Sequence, residues 1–382
     1  MKDSIHTKVN HKVLIWARES LAINRKQAAE KTGIASKRLM QLELGEKQPS
    51  FDELKGFSKA YKRTIATLLL SGPPKEKPLP PDRRTVDSKM LINFHEKTIM
   101  AVRKARALAQ SFIELRQELG IEIPKLNFTA SINDQPQSVA IKIQRLLNLK
   151  EIREIKNINQ ALDAYIEKVE SLGVVIFQLS LTQDRLRGFS ITDDSIPIIG
   201  IKGGGEQPSA KIFTLFHELG HVLLNEGGLC DLSEKSTIEI EKWCNAFSAE
   251  VLIPTSELLQ MEIVVDQARR GEKIWAKKEL VSLGNHFHAG PLAILRSLLE
   301  SNLTTPNYYK DRHQAWNKPQ FARAIHPEGR NIAKETIKEK GRTYVSFAFS
   351  AFDKNRIDLK DLSDFLGIKL SYIQKTRQLL NA

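Results

Sequence analysis

The sequence predicts an α+β fold that is mostly helical and carries one small mixed sheet. Two observations indicate this class. Apolar residues recur at helical spacing over most of residues 12–172, and a β-branched run at 173–179 is followed by short strand candidates at 188–192 and 196–201. The chain has 382 residues, of which 41% are hydrophobic and 27% charged, without an apolar run of the ~18 residues that a membrane span needs. This composition argues against disordered, fibrous and membrane classes, and we expect a soluble protein of several domains.

Charge is segregated along the chain, whose formal net charge is +13. Residues 1–80 carry 16 Lys and Arg against 8 Asp and Glu, residues 261–382 carry 21 against 13, and residues 170–260 carry 6 against 13. Basic ends suggest contact with phosphates, and an acidic middle suggests a cation site. The two cysteines, Cys230 and Cys244, and a start without the apolar core of a signal peptide predict a reducing, cytoplasmic setting without disulfides.

Residues 12–70 predict five short helices that form a helix-turn-helix domain. The predicted helices are 12–21, 25–32, 37–44, 51–61 and 65–70, with the turn Gly33-Ile34-Ala35 and Ser36 as the N-cap of the third. Leu39 and Leu42 of that helix face inward, so its polar residues face outward. Five residues are candidate DNA contacts, namely Lys37, Arg38 and Gln41 at the major groove, and Arg25 and Lys47 toward phosphates. The alternative is a module that contacts another protein.

A proline-rich segment at 71–81, with five prolines in eleven residues, predicts an extended, semi-rigid domain boundary. We therefore divide the chain into a helix-turn-helix domain (1–72), a linker (73–82), a central domain with the sheet (83–262) and a C-terminal helical domain (263–382). Helices are predicted at about 88–119, 137–147 and 159–172. Segments 279–300 and 359–376 have helix-turn-helix form, which we interpret as helical packing. We expect His286, His288, His313 and His326 at the surface or in loops.

The segment Phe216-His217-Glu218-Leu219-Gly220-His221 contains the pattern His-Glu-x-x-His. At about 100° per residue, His217 and His221 lie about 40° apart on one helix face. Two imidazoles one turn apart suit a tetrahedral zinc ion, and Glu218 beside them can take a proton from water. The pattern therefore predicts a zinc site with Glu218 as the general base of peptide-bond hydrolysis. The competing interpretation is a pair of helix histidines that merely pack.

A third protein ligand must come from elsewhere, and Glu241 is the best candidate. Residues 236–239 suggest a capping box that opens a second helix, which Pro254 ends. Glu241, Asn245 and Ser248 share one face of this helix, so Asn245 could hydrogen-bond a ligating histidine. Glu241 could instead be a solvated carboxylate. The remaining alternatives as ligand are Glu226, Asp231, Glu239, Glu250 and Cys244, of which Cys244 is expected to be a small buried hydrophobe.

With these residues in hand, the chain resembles the ImmA/IrrE family of zinc metallopeptidases fused to an N-terminal XRE-family helix-turn-helix. Residues 13–19 and 42–49 carry the helix-turn-helix resemblance, and residues 213–221 and 241–254 carry the metallopeptidase resemblance. The resemblance implies a zincin-like (gluzincin) domain over 83–262, with Glu241 as third zinc ligand. It also implies that the substrate is a regulatory protein, typically a helix-turn-helix repressor. The sequence departs from the family pattern at Lys211, Phe216, Asn225, Cys244 and Ser248, which affects the shape of the cleft and not the metal ligands.

Two function classes follow. The favoured one is a cytoplasmic zinc endopeptidase that carries its own DNA- or partner-binding domain. The alternative is a DNA-binding regulator or antitoxin-like protein whose metallopeptidase-like domain senses or binds without proteolysis. For the enzyme, we expect segment 196–201 to be an edge strand that pairs with an extended substrate.

Overall fold

The computed structural model describes residues 8–80, 96–123, 125–181, 186–192, 194–230, 239–316 and 331–381. Contacts divide the chain into two compact units, one of Met1–Leu79 with Met90–Met100 and the other of Pro80–Lys89 with Ala101–Ala382. The described residues are mostly helical and include one mixed sheet, so the predicted α+β class is confirmed. Among the described helices, none combines the length and apolar content that a bilayer crossing needs.

The first unit contains five short helices at the positions where the periodicity predicts them. Its buried side chains include Leu39 and Leu42, as expected. The third helix begins at Ser36 with Ala35 as its N-cap, so the prediction of Ser36 as N-cap is wrong by one residue. The helices are α1 (His11–Glu19), α2 (Arg25–Thr32), α3 (Ser36–Glu43), α4 (Phe51–Tyr61) and α5 (Ile65–Leu68). Their interpretation as a DNA-binding helix-turn-helix stays a prediction.

The second unit contains most of a long helix, α6, from Ala101 onward, and the remaining described helices. Gly120, in a left-handed conformation with φ +64°, follows the end of α6 as predicted. The helices are α6 (Glu96–Glu118), α7 (Pro136–Leu146), α8 (Ile158–Glu170), α9 (Pro208–Leu223), α10 (Glu239–Leu252), α11 (Thr255–Leu258), α12 (Glu262–Arg269), α13 (Lys277–Phe287), α14 (Pro291–Glu300), α15 (Pro306–Trp316), α16 (Ile332–Lys340), α17 (Arg342–Asp353), α18 (Leu359–Leu366) and α19 (Ile373–Leu380). Two 3₁₀ helices lie at Leu149–Glu154 and Leu370–Tyr372.

The sheet has four described strands in the order β1-β3-β2-β4. They are β1 (Val175–Leu179), β2 (Gly188–Ile191), β3 (Ile198–Lys202) and β4 (Gly228–Cys230). β3 pairs in parallel with β1 and antiparallel with β2, and β2 pairs antiparallel with β4. The prediction that segment 196–201 is an edge strand is therefore wrong. Its near-continuous isoleucine run is typical of a strand that is covered on both faces, where no polar alternation is needed.

A single hydrophobic cluster of the second unit extends from Val139 to Tyr309 and so includes residues on both sides of residue 262. Buried residues of α13 and α14 belong to it, which confirms the interpretation of segment 279–300 as core packing. The proposed four-part division of the chain stays a prediction.

His288 lies in a loop, as one of the two expected placements has it, but it is buried and only 2% exposed. It lies in the turn between α13 and α14, where its Nε2 is 2.9 Å from the Ile155 carbonyl oxygen. Its Nδ1 is 3.3 Å from the Tyr165 hydroxyl, which can donate to Nδ1 when the ring is neutral and Nε2 donates to the carbonyl. His286 is half-buried against Glu257, and His326 lies outside the described residues.

Burial lowers the pKa of His288 below its ordinary value of 6.5, and the nearby cation of Arg153 lowers it further. A depressed histidine pKa means that the unfolded chain binds the proton more readily. The stability that His288 contributes is therefore complete above pH 6.5 and is lost as the pH falls. We expect the urea midpoint to decrease from pH 7.5 to pH 5.5 in the wild type with EDTA present. His288→Asn, which tolerates the left-handed backbone there, should reduce this decrease, and an unchanged decrease would contradict the assignment.

Candidate metal centre

Helices α9 and α10 pack closely, and a glycine of α9 allows it. A Cβ atom added at Gly220 would lie 3.0 Å from Cys244 Sγ and 3.3 Å from Phe247 Cδ1, both on α10. Glycine in a helix interior costs up to about 1 kcal/mol relative to alanine, so its presence there indicates a packing requirement. The close approach of the helices brings Glu241, near the start of α10, to the histidines of α9.

The three side chains predicted as metal ligands meet at one point. His217 Nε2 lies 3.1 Å from Glu241 Oε2, and His221 Nε2 lies 3.3 Å from Glu241 Oε1. The two Nε2 atoms are 3.2 Å apart, and all three residues are fully buried. Among the described residues, this is the group of His, Cys, Asp and Glu side chains whose ligand atoms converge tightly enough to hold a metal ion.

The donor set fits a cation. Burial alone would raise the pKa of Glu241, but hydrogen bonds from His217 and His221 outweigh it and lower the pKa to about 2. Glu241 is therefore a carboxylate at neutral pH. Two imidazole nitrogens and a carboxylate at these distances form a ligand set that a divalent metal accepts, with a position left open for a further ligand.

Glu218 is fully buried beside the three ligands, and the backbone of β2 lies directly against it. A Cβ atom added at Gly188 would lie 2.6 Å from Glu218 Oε1 and 2.7 Å from Thr214 Cγ2. Such distances leave no room for any side chain at position 188 unless Glu218 moves. Gly188 therefore positions Glu218, a role that the sequence did not predict. The signal available in the sequence was a glycine at the start of a predicted strand, where close backbone approach is one of the usual reasons.

Gly188→Ala is expected to lower the activity that depends on Glu218 by about 10²-fold, because displacement of a catalytic group by about 1 Å has that effect. The bound metal should be retained, since the histidines and Glu241 are not touched. The matched control is Gly204→Ala, where an added Cβ would meet nothing within 4 Å. Metal content and the rate of substrate cleavage should be measured together. Equal rates in the two variants would exclude this positioning role.

Residues 169–273 match the family model of peptidase family M78, described as the IrrE N-terminal-like domain. This segment is similar to the IrrE N-terminal-like domain. The matched residues contain the whole sheet, α9, α10 and the four buried residues of the centre. The match supports an ImmA/IrrE domain and suggests a metallopeptidase. Neither a curated protein nor a solved structure matches the chain. Residues 8–80 lie outside the match.

The alternative ligands in the IrrE-like segment are placed elsewhere or lie outside the described residues. Glu250 accepts hydrogen bonds from the backbone N–H and hydroxyl of Thr255, at 3.1 Å and 2.7 Å, and so caps α11. Glu226 and Glu239 are exposed, and Asp231 lies outside the described residues. Cys244 is a buried core thiol packed at Gly220, as expected.

Asn245 is half-buried on α10, but it makes no hydrogen bond to His217 in the structure. His217 Nδ1 lacks a hydrogen-bond partner among the described residues. A role for Asn245 in orienting a ligand therefore stays a prediction. Ser248, on the same face, is buried and donates to the Phe213 carbonyl at 2.9 Å, so it ties α10 to α9.

The two arginines predicted to contact DNA are held by carboxylates within the first unit. Arg25 Nε lies 2.7 Å from Glu43 Oε2, which also pairs with the buried Arg18. Arg38 donates to both oxygens of Glu53, at 2.8 Å and 2.9 Å. Hydrogen bonding from Arg38 is the main cause that lowers the pKa of Glu53. A DNA phosphate can bind one of these arginines only if it shares the guanidinium group with the carboxylate or displaces the carboxylate.

The other candidate DNA contacts are more available. Lys37 and Lys47 are exposed, and neither forms an ion pair with a described residue. Gln41 is half-buried, and its backbone carbonyl accepts from the N–H groups of Glu46 and Lys47. That these five residues contact DNA stays a prediction. The two lysines are more accessible to a phosphate than the two arginines and Gln41.

Proposed function

We propose that this protein is a zinc-dependent endopeptidase whose centre is His217, His221 and Glu241 with Glu218 as general base. The observation that carries the proposal is the convergence of three buried ligand atoms beside a fourth buried carboxyl group. A protein that only binds a partner has no need of Glu218 in addition to the three ligands. The family match of this segment supports the same function.

A zinc ion in this centre would supply Lewis-acid polarisation of the scissile carbonyl and would acidify a water molecule. Glu218 takes the proton of the attacking water as the C–O bond forms at the carbonyl carbon. It then delivers that proton to the amide nitrogen as the C–N bond breaks, so the products are a carboxylate and an amine. Gly188 holds Glu218 at the position from which it can do both.

The proposed substrate is a regulatory protein, and a helix-turn-helix repressor is the favoured candidate. Glu218 and the three ligand side chains are all fully buried, so a peptide reaches them only after neighbouring segments move. Unfolded proteins in general should therefore be cut slowly. A partner that opens the centre through additional contacts would be cut faster, which favours a narrow substrate range.

The test is to measure zinc in the purified full-length protein and to search for its substrate with a trapping variant. Plasma emission spectrometry should give about one zinc ion per chain. Affinity capture with Glu218→Gln should retain a protein that the wild type cleaves and that EDTA protects. A captured protein that the zinc-loaded wild type leaves intact would favour the alternative, a regulator or antitoxin-like protein that binds without proteolysis.

We further propose that the first unit binds DNA, because exposed Lys37 and Lys47 lie on a segment with 16 basic against 8 acidic residues. Affinity should fall steeply with salt, by about 0.9 log units per phosphate contact per decade. Lys37→Gln with Lys47→Gln should lower the slope by about two contacts, whereas Lys62→Gln, at an exposed lysine that follows α4, is the control. If fluorescence anisotropy shows salt-insensitive binding or none, the unit instead recruits a protein. Deletion of residues 1–70 should then impair cleavage of the natural substrate without changing the zinc content.

A further inference from the structure

A partly open cavity lies in the second unit, away from the metal centre. It has a volume of about 260 Å³ and is bounded by α6, α8, α17 and the start of β1. Its apolar wall comes from residues such as Phe112, Val174 and Ile196, and its polar lining consists of Arg116, Glu167, Glu170, Ser171 and Thr343. A space of this size and lining admits a small organic molecule.

Arg116 supplies a buried cation to this cavity without a carboxylate partner. It is 9% exposed, and its guanidinium stacks on the Phe347 and Phe112 rings at 4.9 Å and 5.6 Å. Nη2 donates to the Glu122 carbonyl, whereas Nε has no hydrogen-bond partner. Arg116 forms no ion pair with a described residue. A buried guanidinium with unused donors is costly unless an anion completes it.

Glu170, at the end of α8, supplies an acid to the same cavity. The Thr343 hydroxyl donates to one carboxyl oxygen, and a Cβ atom added at Gly341 would lie 3.3 Å from the other. Burial raises the pKa of Glu170 to about 8, and repulsion from Glu167 acts in the same direction. The Glu170 carboxyl group is therefore largely protonated at neutral pH, and neither Glu170 nor Arg116 forms an ion pair with a described residue.

Arg116 and Glu170 share one cavity and do not pair with each other. A ligand with an anion for Arg116 and an ammonium group for Glu170 would pair the guanidinium and favour ionisation of the carboxyl group, within a space of about 260 Å³. We propose that the cavity binds a small zwitterion of the α-amino-acid class, with its carboxylate on Arg116, its ammonium group on Glu170 and an apolar side chain against Phe112. A bidentate bond from a guanidinium to a carboxylate is among the stronger polar contacts available.

The experiment uses the full-length protein and each of the twenty standard L-amino acids. Thermal unfolding at about 5 mM amino acid detects dissociation constants near 1 mM or tighter, because a ligand specific for the folded state raises the unfolding temperature. We expect stabilisation by at least one amino acid with an apolar side chain. Calorimetry should then show that the matching acid without the amino group, and the matching amine without the carboxylate, bind at least about tenfold more weakly.

Variants test the two contacts separately. Arg116→Gln and Glu170→Gln should each lower the affinity for the amino acid by about tenfold or more, which is the loss expected for one charged contact. Glu114→Gln and Arg145→Gln change exposed residues on α6 and α7 and should leave binding unchanged. Glu170→Gln removes a half-buried ionisable group and is expected to fold, so it decides the question even if Arg116→Gln is unstable.

Three results would overturn the proposal. The first is that none of the twenty amino acids shifts the unfolding temperature of the wild type. The second is that an amino acid binds equally well to Glu170→Gln and the wild type. The third is that the acid without the amino group binds as tightly as the amino acid, which would make the cavity a site for simple carboxylates.

Discussion

Replacing Glu218 by Gln is expected to lower the cleavage rate by about 10²–10⁴-fold, the usual contribution of a positioned general base. The amide has nearly the same shape, so the packing against β2 is kept, but it cannot take a proton from water. Zinc should stay at the wild-type level, because Glu218 is not one of the three converging ligands. Metal analysis and a cleavage assay on the captured substrate measure the two quantities.

The control is Glu226→Gln, an exposed carboxylate just after α9. It should retain both metal and activity. If Glu218→Gln cleaves the captured substrate at the rate of this control, Glu218 is not the base. If Glu218→Gln also loses its metal, then Glu218 belongs to the ligand set and the proposed division of roles is wrong.

The juxtaposition of the two histidines of α9 could be predicted because their relation is local. His217 and His221 are one helical turn apart, and helix geometry alone places their side chains on one face. The position of Glu241 was harder to predict, because its approach to the histidines depends on the packing of α10 on α9. The helical pattern of residues 239–252 predicts the helix that carries Glu241. The role of Gly220 in the helix packing can be recognised only from the structure, where Cys244 lies directly against it.

Contacts between distant segments account for what the sequence could not predict. Gly188 contacts Glu218, 30 positions further along the chain, and its strand carries no chemical signature of that contact. Arg25 and Arg38 are basic residues in a helical pattern, and pattern alone indicates outward side chains. Their carboxylate partners, Glu43 and Glu53, are 18 and 15 residues away, so the ion pairs depend on the tertiary fold.

The wrong prediction for segment 196–201 has a similar cause. A run of isoleucines predicts a strand, and it also predicts burial of both faces, which favours the interior of a sheet. The order of strands depends on which segments pair, and β1 and β2 both pair with β3. An extended substrate therefore cannot use β3 as its pairing edge.

Replacing Glu241 by Ala is expected to weaken zinc binding more than about 100-fold, since loss of an outer-shell partner alone can cost that much and Glu241 is proposed as a direct ligand. The substitution leaves two imidazoles, too few protein ligands for the usual tetrahedral site. Competition with a chromophoric chelator measures the affinity. Glu239→Ala, an exposed carboxylate on the same helix, is the control and should bind zinc as the wild type does. Because Ala also leaves a cavity between α9 and α10, Glu241→Gln should be compared. Its neutral amide keeps the volume and removes the charge, so zinc affinity at the wild-type level in both Glu241 variants would transfer the ligand role to another residue.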